Sequence, residues 1–167
     1  MLRRLEGKQK GFTLLELLLV IALTGIITAA ASMAIHQVLT GTTLGNDLNT
    51  AVNQVRTASY WIERDALMAQ TVVAVAPGSP LILTWTDSSG ADHEITYTLV
   101  DVSGSELKEL WRDFDGQQAV IAQYIKPTQT GVPDCYWDGE VLTGNVTAQV
   151  GDETETRTFQ VKPRPLD

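Results

Sequence analysis

Residues 11 to 35 read Gly11-Phe12-Thr13-Leu14-Leu15-Glu16-Leu17-Leu18-Leu19-Val20-Ile21-Ala22-Leu23-Thr24-Gly25-Ile26-Ile27-Thr28-Ala29-Ala30-Ala31-Ser32-Met33-Ala34-Ile35. From Phe12 onward Glu16 is the only charge, and the other polar side chains are Thr13, Thr24, Thr28 and Ser32. As a helix this run extends about 36 Å, enough to cross a hydrocarbon core of about 30 Å. Before it, Arg3, Arg4, Lys8 and Lys10 stand against Glu6, a net charge of +3 within a chain whose formal net charge is -8. Basic residues before the span and an acidic remainder after it place the N-terminus in the cytoplasm and the C-terminal mass outside.

Three fates of this segment differ in where the chain is cut. A plain anchor keeps everything. A secretory signal is cut among the small residues Ala29, Ala30, Ala31, Ser32 and Ala34, starting the mature chain near Ser32 or Ile35. The third cut falls before the apolar run. Glu16 bears on the choice, because a carboxylate in a membrane segment costs about 2.5 to 3.5 kcal/mol at the centre and less toward the interface. Neither an anchor nor a secretory signal has a use for it.

Gly11-Phe12-Thr13-Leu14-Leu15-Glu16, followed by its apolar run, resembles the prepilin signature of type IV pilins and type II secretion pseudopilins. The resemblance implies that a prepilin peptidase cuts between Gly11 and Phe12 and methylates the new amino terminus of Phe12. Glu16, fifth in the mature chain, matches the family's acidic position and would face the N-terminal amine of its own or a neighbouring subunit, setting register in assembly. In a low-dielectric bundle such a pair attracts far more strongly than in water.

The family's helix continues past the membrane, and periodicity supports this independently. Leu44, Leu48, Val52, Val55, Ser59, Ile62, Ala66 and Ala69 recur in steps of three and four, one face of an amphipathic helix. The reading is one helix from Phe12 to about Gln70, with a kink or melted turn at Gly41 to Gly45, where each glycine costs about 1 kcal/mol relative to Ala. Tyr60 to Gln70 (YWIERDALMAQ) resembles the end of the spine helix in J-type minor pseudopilins and W-type minor pilins. There Trp61 and Met68 are read as packing residues. Arg64 and Asp65 are read as ties to the sheet or, in a sharper version, as subunit contacts.

Beyond Gln70 the chain alternates in short segments: Leu81 to Thr86, Glu94 to Val100, Leu107 to Trp111, Ala119 to Ile125, Val141 to Val150 and Glu155 to Val161. Asp87 to His93, Asp115-Gly116, Pro127 to Pro133 and Gly151-Asp152 separate them, and Pro163-Arg164-Pro165 closes the domain. Strands that follow strands predict an antiparallel sheet, so the fold class is α+β, pilin-like: a long N-terminal helix packed on an antiparallel sheet. The organisation expected is a cleaved leader at 1–11, a membrane or filament-core helix at 12–40, an amphipathic continuation at 41–70 and a β-rich head outside the membrane at 71–167.

Enzymatic chemistry finds little support. Cys135, His36 and His93 are too few and too scattered for a nucleophilic site or a zinc site. Asp113-Phe114-Asp115-Gly116 begins like a calcium loop but lacks the later ligands and reads as a hairpin turn. Asp134, Asp138 and Glu140 read as a solvated loop. No catalytic residue, metal or cofactor is expected. A sequence pI near 4.7 argues against nucleic acid. The single cysteine excludes the intrachain disulfide that many major pilins carry, and with no recognisable calcium loop this favours a minor pseudopilin or minor pilin. Expected partners are prepilin peptidase, other pilins or pseudopilins, an inner-membrane assembly platform, and the lipid bilayer before assembly. The expected location is the inner membrane, single-pass with the head outside, and then a pilus or pseudopilus. The rival reading is a singly anchored or secreted binding domain outside any filament.

Overall fold

A computed structural model describes residues 11–73, 80–127 and 134–164. The leader Met1 to Lys10, Pro165 and nearly all of the turn expected at Pro127 to Pro133 lie outside the described residues. The chain forms two compact units that divide between Thr43 and Leu44. One helix, α1 (Leu14–Met68), contributes to both.

In the first unit every described side chain is exposed, including Leu14, Leu18, Ile21, Ile26 and Ile35. The helix is long and apolar enough to cross a membrane. Its hydroxyls are satisfied internally: Thr24 Oγ1 donates to the Val20 carbonyl (2.7 Å), Thr28 to Thr24 (2.8 Å) and Ser32 to Thr28 (2.9 Å). Each bonds back one turn, the arrangement a hydroxyl needs where no water is present. The melted turn expected near Gly41 is absent. Residues 41–45 are helical, with Thr42 Oγ1 and Thr43 Oγ1 bonded back to Val38 and Leu39. Neighbouring hydroxyls thus add local bonds where glycine weakens propensity.

In the second unit α1 packs on a curled antiparallel sheet of eight strands: β1 (Thr71–Val73), β2 (Leu81–Thr86), β3 (Asp92–Asp101), β4 (Lys108–Phe114), β5 (Gln117–Ile125), β6 (Asp134–Trp137), β7 (Leu142–Val150) and β8 (Glu153–Val161). The order is β1-β2-β3-β4-β5-β7-β6, with β8 also paired to β7. The α+β, pilin-like architecture read from the pattern is the one observed. The six expected strands are present: β2 has the expected bounds, β3, β5 and β8 gain two or three residues where hairpins zip further, and β4 and β7 start one residue late, β4 then running three residues further. β1 and β6 were not foreseen, being only three and four residues long.

The period-2 pattern sets the core. Leu81 and Leu83, Ile95 and Tyr97, Leu110, Ala122 and Ile125, Leu142, Val146 and Ala148, and Phe159 and Val161 are buried against Ala51, Val55, Ala58, Ile62, Ala66 and Ala69 of α1. The helical face starts later than its periodicity suggested: Leu44 and Leu48 are 44% and 42% exposed, and the stripe runs through Ala51, Ala58 and Asp65 instead. Alanines allow the backbone to approach the sheet closely, which larger residues on the same turns would prevent. Trp61 packs on the core as expected, whereas Met68 is exposed.

The hairpins follow their turn chemistry. Asp115 and Gly116 have φ of 49° and 85°, the two left-handed positions of a two-residue type I′ turn between Phe114 and Gln117. Asp113 accepts from the Gly116 N–H (2.8 Å) and from Gln118 Nε2 (2.9 Å), so the D-x-D-G stretch forms the hairpin turn. The β2–β3 loop is shorter than expected. Thr86 pairs with Asp92 and Trp85 with His93, leaving Asp87 to Ala91 as the loop, with Asp87 Oδ1 accepting the Ser89 and Ala91 N–H groups.

Candidate processing and assembly site

The N-terminal site begins at the chain's transition into helix. Gly11, Phe12 and Thr13 precede α1, and Phe12 is 77% exposed. Thr13 is the N-cap: its carbonyl accepts the Leu17 N–H (3.2 Å) and its Oγ1 accepts the Glu16 N–H (3.3 Å). Thr13-Leu14-Leu15-Glu16 has the T-x-x-E spacing of a capping box, a signal present in the sequence that its reading overlooked. Glu16 therefore sits in the first turn, where the positive end of the helix dipole favours a carboxylate. Gly11, Phe12 and Glu16 thus lie within six residues of each other and are exposed among the described residues.

Arg64 and Asp65 separate completely. Asp65 is fully buried, and its Oδ2 accepts from Arg112 Nε (2.6 Å) and from the Tyr97 hydroxyl. A direct subunit contact through Asp65 is not available, because its carboxylate points into the head and has no surface to offer. It is the tie between helix and sheet. Arg112 also lies 5.0 Å from the Trp61 ring centroid and 5.3 Å from that of Phe114, so the guanidinium is held by a carboxylate and two aromatic faces. Burial lowers the Arg112 pKa, but the Asp65 carboxylate outweighs it and the net direction is up. Burial, with Asp65 adding to it, pushes the Tyr97 hydroxyl far above its ordinary range, so it stays a donor. Arg64 is exposed and stacks over Trp61 at 5.1 Å.

Two further ties hold the helix. Gln54 Oε1 accepts the Gln123 N–H (2.7 Å) at a β-bulge where Tyr124 has φ of 60°, and Glu63 pairs with Arg157 (3.1 Å). The helix end is capped from the C-terminus, where the Arg164 N–H donates to the Ala69 carbonyl (3.1 Å). The expected loop carboxylates also have local roles. Asp138 Oδ1 accepts the Glu140 and Val141 N–H groups, which hold its pKa below the usual range, and Glu140 pairs with Lys162.

The sequence reading missed a cluster around His93. Its Nδ1 lies 2.6 Å from Asp115 Oδ2 and its Nε2 3.4 Å from Asp87 Oδ2, while the ring stacks on Phe114 and meets Trp85 at 5.3 Å. Asp115 in turn accepts the Glu94 N–H (2.9 Å). The imidazole thus joins the β2–β3 and β4–β5 turns. The Asp115 contact, aided by Asp87, raises the His93 pKa. Bonds from Ser89 and Ala91 lower that of Asp87, and the Glu94 N–H followed by His93 lowers that of Asp115. The only advance signal was an aspartate in each of two turns flanking a strand-end histidine.

The family model of the prokaryotic N-terminal methylation motif matches residues 7–32. No curated protein and no solved structure matched. The motif covers the leader's end, the Gly11-Phe12 junction, the Thr13 cap, Glu16 and the hydroxyl-bonded part of the apolar helix. The chain thus carries the N-terminal methylation signal of type IV pilins and pseudopilins, set before a helix packed on an antiparallel sheet.

Proposed function

We propose that the protein is a minor pseudopilin or minor pilin, cut after Gly11, methylated on Phe12 and assembled by its helix into a filament or its initiating tip complex, supporting protein secretion, DNA uptake or motility. It acts by assembly and not by catalysis. The observation that carries this reading is the methylation motif lying on an apolar helix whose whole surface is uncovered. Lipid covers that surface first, and the helices of other subunits cover it after extraction by the assembly platform. A free Phe12 amine beside Glu16, one turn into the helix, supplies a charge pair that fixes register between neighbours. The cleavage site is accessible to a membrane-embedded prepilin peptidase because Gly11 and Phe12 precede the helix. The absence of an intrachain disulfide is what favours the minor type.

The test is the intact mass and N-terminal sequence of the protein recovered from cell membranes. A start at Phe12 with one added methyl is expected. A start near Ser32 or Ile35 would mean a secreted domain and Met1 retained a simple anchor, and either would overturn the reading.

A further inference from the structure

β1 stands at one end of the strand order and pairs with β2 alone, so its other edge has no partner among the described residues. The chain leaving β8 passes beside it, because the Arg164 N–H reaches the Ala69 carbonyl just before β1. Here the head holds a groove of about 490 Å³ lined by Thr71 and Val72 of β1, Trp137 and Glu140 at the β6–β7 turn, and Lys162 and Arg164. That volume lies within the range of about 300 to 1,000 Å³ typical of ligand clefts.

Donors and acceptors in this groove are out of balance. Glu140 is its only carboxylate, and Lys162 occupies it. Gln70, also in the lining, has its Oε1 engaged by the Thr86 N–H (3.0 Å), which leaves the donor end of the amide. Arg164 is exposed, and its guanidinium forms no ion pair or hydrogen bond among the described residues. Between residues 71 and 164 there are fourteen Asp and Glu against six Lys and Arg, and the other five cations, Lys108, Arg112, Lys126, Arg157 and Lys162, are each bonded to a side-chain oxygen. A cation left over in so acidic a head stands out. Donors remain where the acceptors are used up, so an incoming group has to bring oxygen acceptors and negative charge. Trp137, half-buried, and Pro163 supply apolar surface at the same place.

We infer that this groove binds an extended acidic peptide segment of another protein, laid along the open edge of β1 as an added strand. A carboxylate side chain of the segment pairs with Arg164, and an apolar neighbour rests on Trp137. The strand pairs edge backbone groups that nothing else described in the head pairs, which selects a peptide over a free organic acid. The site is complete within one head, so it binds one peptide per subunit and does not rest on the assembly reading.

The experiment titrates the full chain, in detergent micelles, into fluorescein-labelled Val-Thr-Asp-Val-Thr amide and follows fluorescence anisotropy. Saturable binding with a Kd below about 1 mM is expected. Arg164→Gln should weaken it about tenfold, and so should Asn in place of the peptide's Asp, while both together should cost little more than either alone, since each removes the same ion pair. Arg164→Glu should be rescued by a peptide with Lys at the Asp position, a recovery that misfolding could not produce. Two further peptides, N-methylated along one strand edge or along the other, should differ in affinity at least tenfold, because only one edge faces β1. Equal affinities for these two overturn the added strand. No saturable binding up to 1 mM, or affinity indifferent to Arg164 or to the peptide carboxylate, overturns the site, as does displacement by sodium acetate at the peptide's own concentration. None of these outcomes touches the assembly reading, which is decided by the N-terminus at Phe12.

Discussion

Replacing Arg112 by Met removes the charged partner of Asp65 while keeping most of the apolar stem. Asp65 is fully buried, and of its two carboxylate oxygens only Oδ2 has hydrogen-bond partners among the described residues, Arg112 and Tyr97. Stranding a buried charge in this way costs about 3 to 5 kcal/mol, and losing the guanidinium from the Trp61 face adds about 0.5 to 1 kcal/mol. For a head of this size that is a large share of a total stability of about 5 to 15 kcal/mol. Tyr97→Phe removes one hydrogen bond to a charged acceptor and should cost about 1.5 to 3 kcal/mol. The double substitution Asp65→Leu with Arg112→Met removes both charges together and should be markedly less damaging than Arg112→Met alone. The assay is urea unfolding of the full chain in detergent micelles, followed by the β-sheet signal in circular dichroism and by tryptophan fluorescence. An Arg112→Met cost below about 1 kcal/mol, or a double variant worse than the sum of its parts, would refute Asp65 as a buried charge held by Arg112.

His93 predicts a pH optimum for the head. Its folded pKa is raised above 6.5, so its contribution is fully present below pH 6.5 and is lost as pH rises through the folded value; Asp87 and Asp115, lowered from 3.8, contribute above that pH and lose it as pH falls. Unfolding midpoints measured from pH 4 to 8 should therefore be highest in the mildly acidic range, and His93→Gln should flatten the decline above pH 6.5; an unchanged decline would assign it elsewhere. Gly144→Ala places a Cβ 2.2 Å from the Phe159 ring, inside the core, and should destabilise by about 1 to 3 kcal/mol in the same urea assay. Glu16→Ala should leave the N-terminus at Phe12 by mass spectrometry yet impair recovery of the chain in sedimented filaments; normal incorporation would remove the role assigned to its carboxylate. Thr13→Ala should cost about 1 kcal/mol of capping and increase amide exchange at Glu16 and Leu17.

The fold was legible wherever one physical signal dominated. A long apolar run with Glu16 as its only charge announced the first half of α1, and Leu81 to Thr86 alternates so clearly that β2 has those boundaries. β1 and β6 were invisible because three or four residues carry no measurable period, and they exist only as partners of β2 and β7. The helical face was misplaced over its first turns because Leu44 and Leu48 look like core by type, while Ala51 and Ala58 are buried by proximity to the sheet. Asp65 shows the limit most clearly. It was read as a tie to the sheet or a subunit contact, but its partners Tyr97 and Arg112 are 32 and 47 residues away, and only the pairing of β3 with β4 sets them side by side. His93 was hidden in part for the same reason, since Asp115, 22 residues on, meets it only when the β4–β5 turn folds beside β3. The Thr13 cap, by contrast, was written locally and was missed because Glu16 was considered only for its charge.

The back-bonded hydroxyls of Thr24, Thr28 and Ser32 have a mechanical consequence. A membrane helix that grips its neighbours through interhelical hydrogen bonds must break them each time its surroundings change, and the barrier to sliding rises accordingly. Here each hydroxyl is closed on its own backbone, so the span presents smooth dispersion contacts along these turns, and exchanging one apolar environment for another breaks no polar bond of theirs. On the assembly reading proposed above, the polar resistance of this span to axial movement rests with the Glu16 carboxylate. Such a span is low in friction, which suits the proposed passage from lipid into a bundle of other helices without a high activation cost.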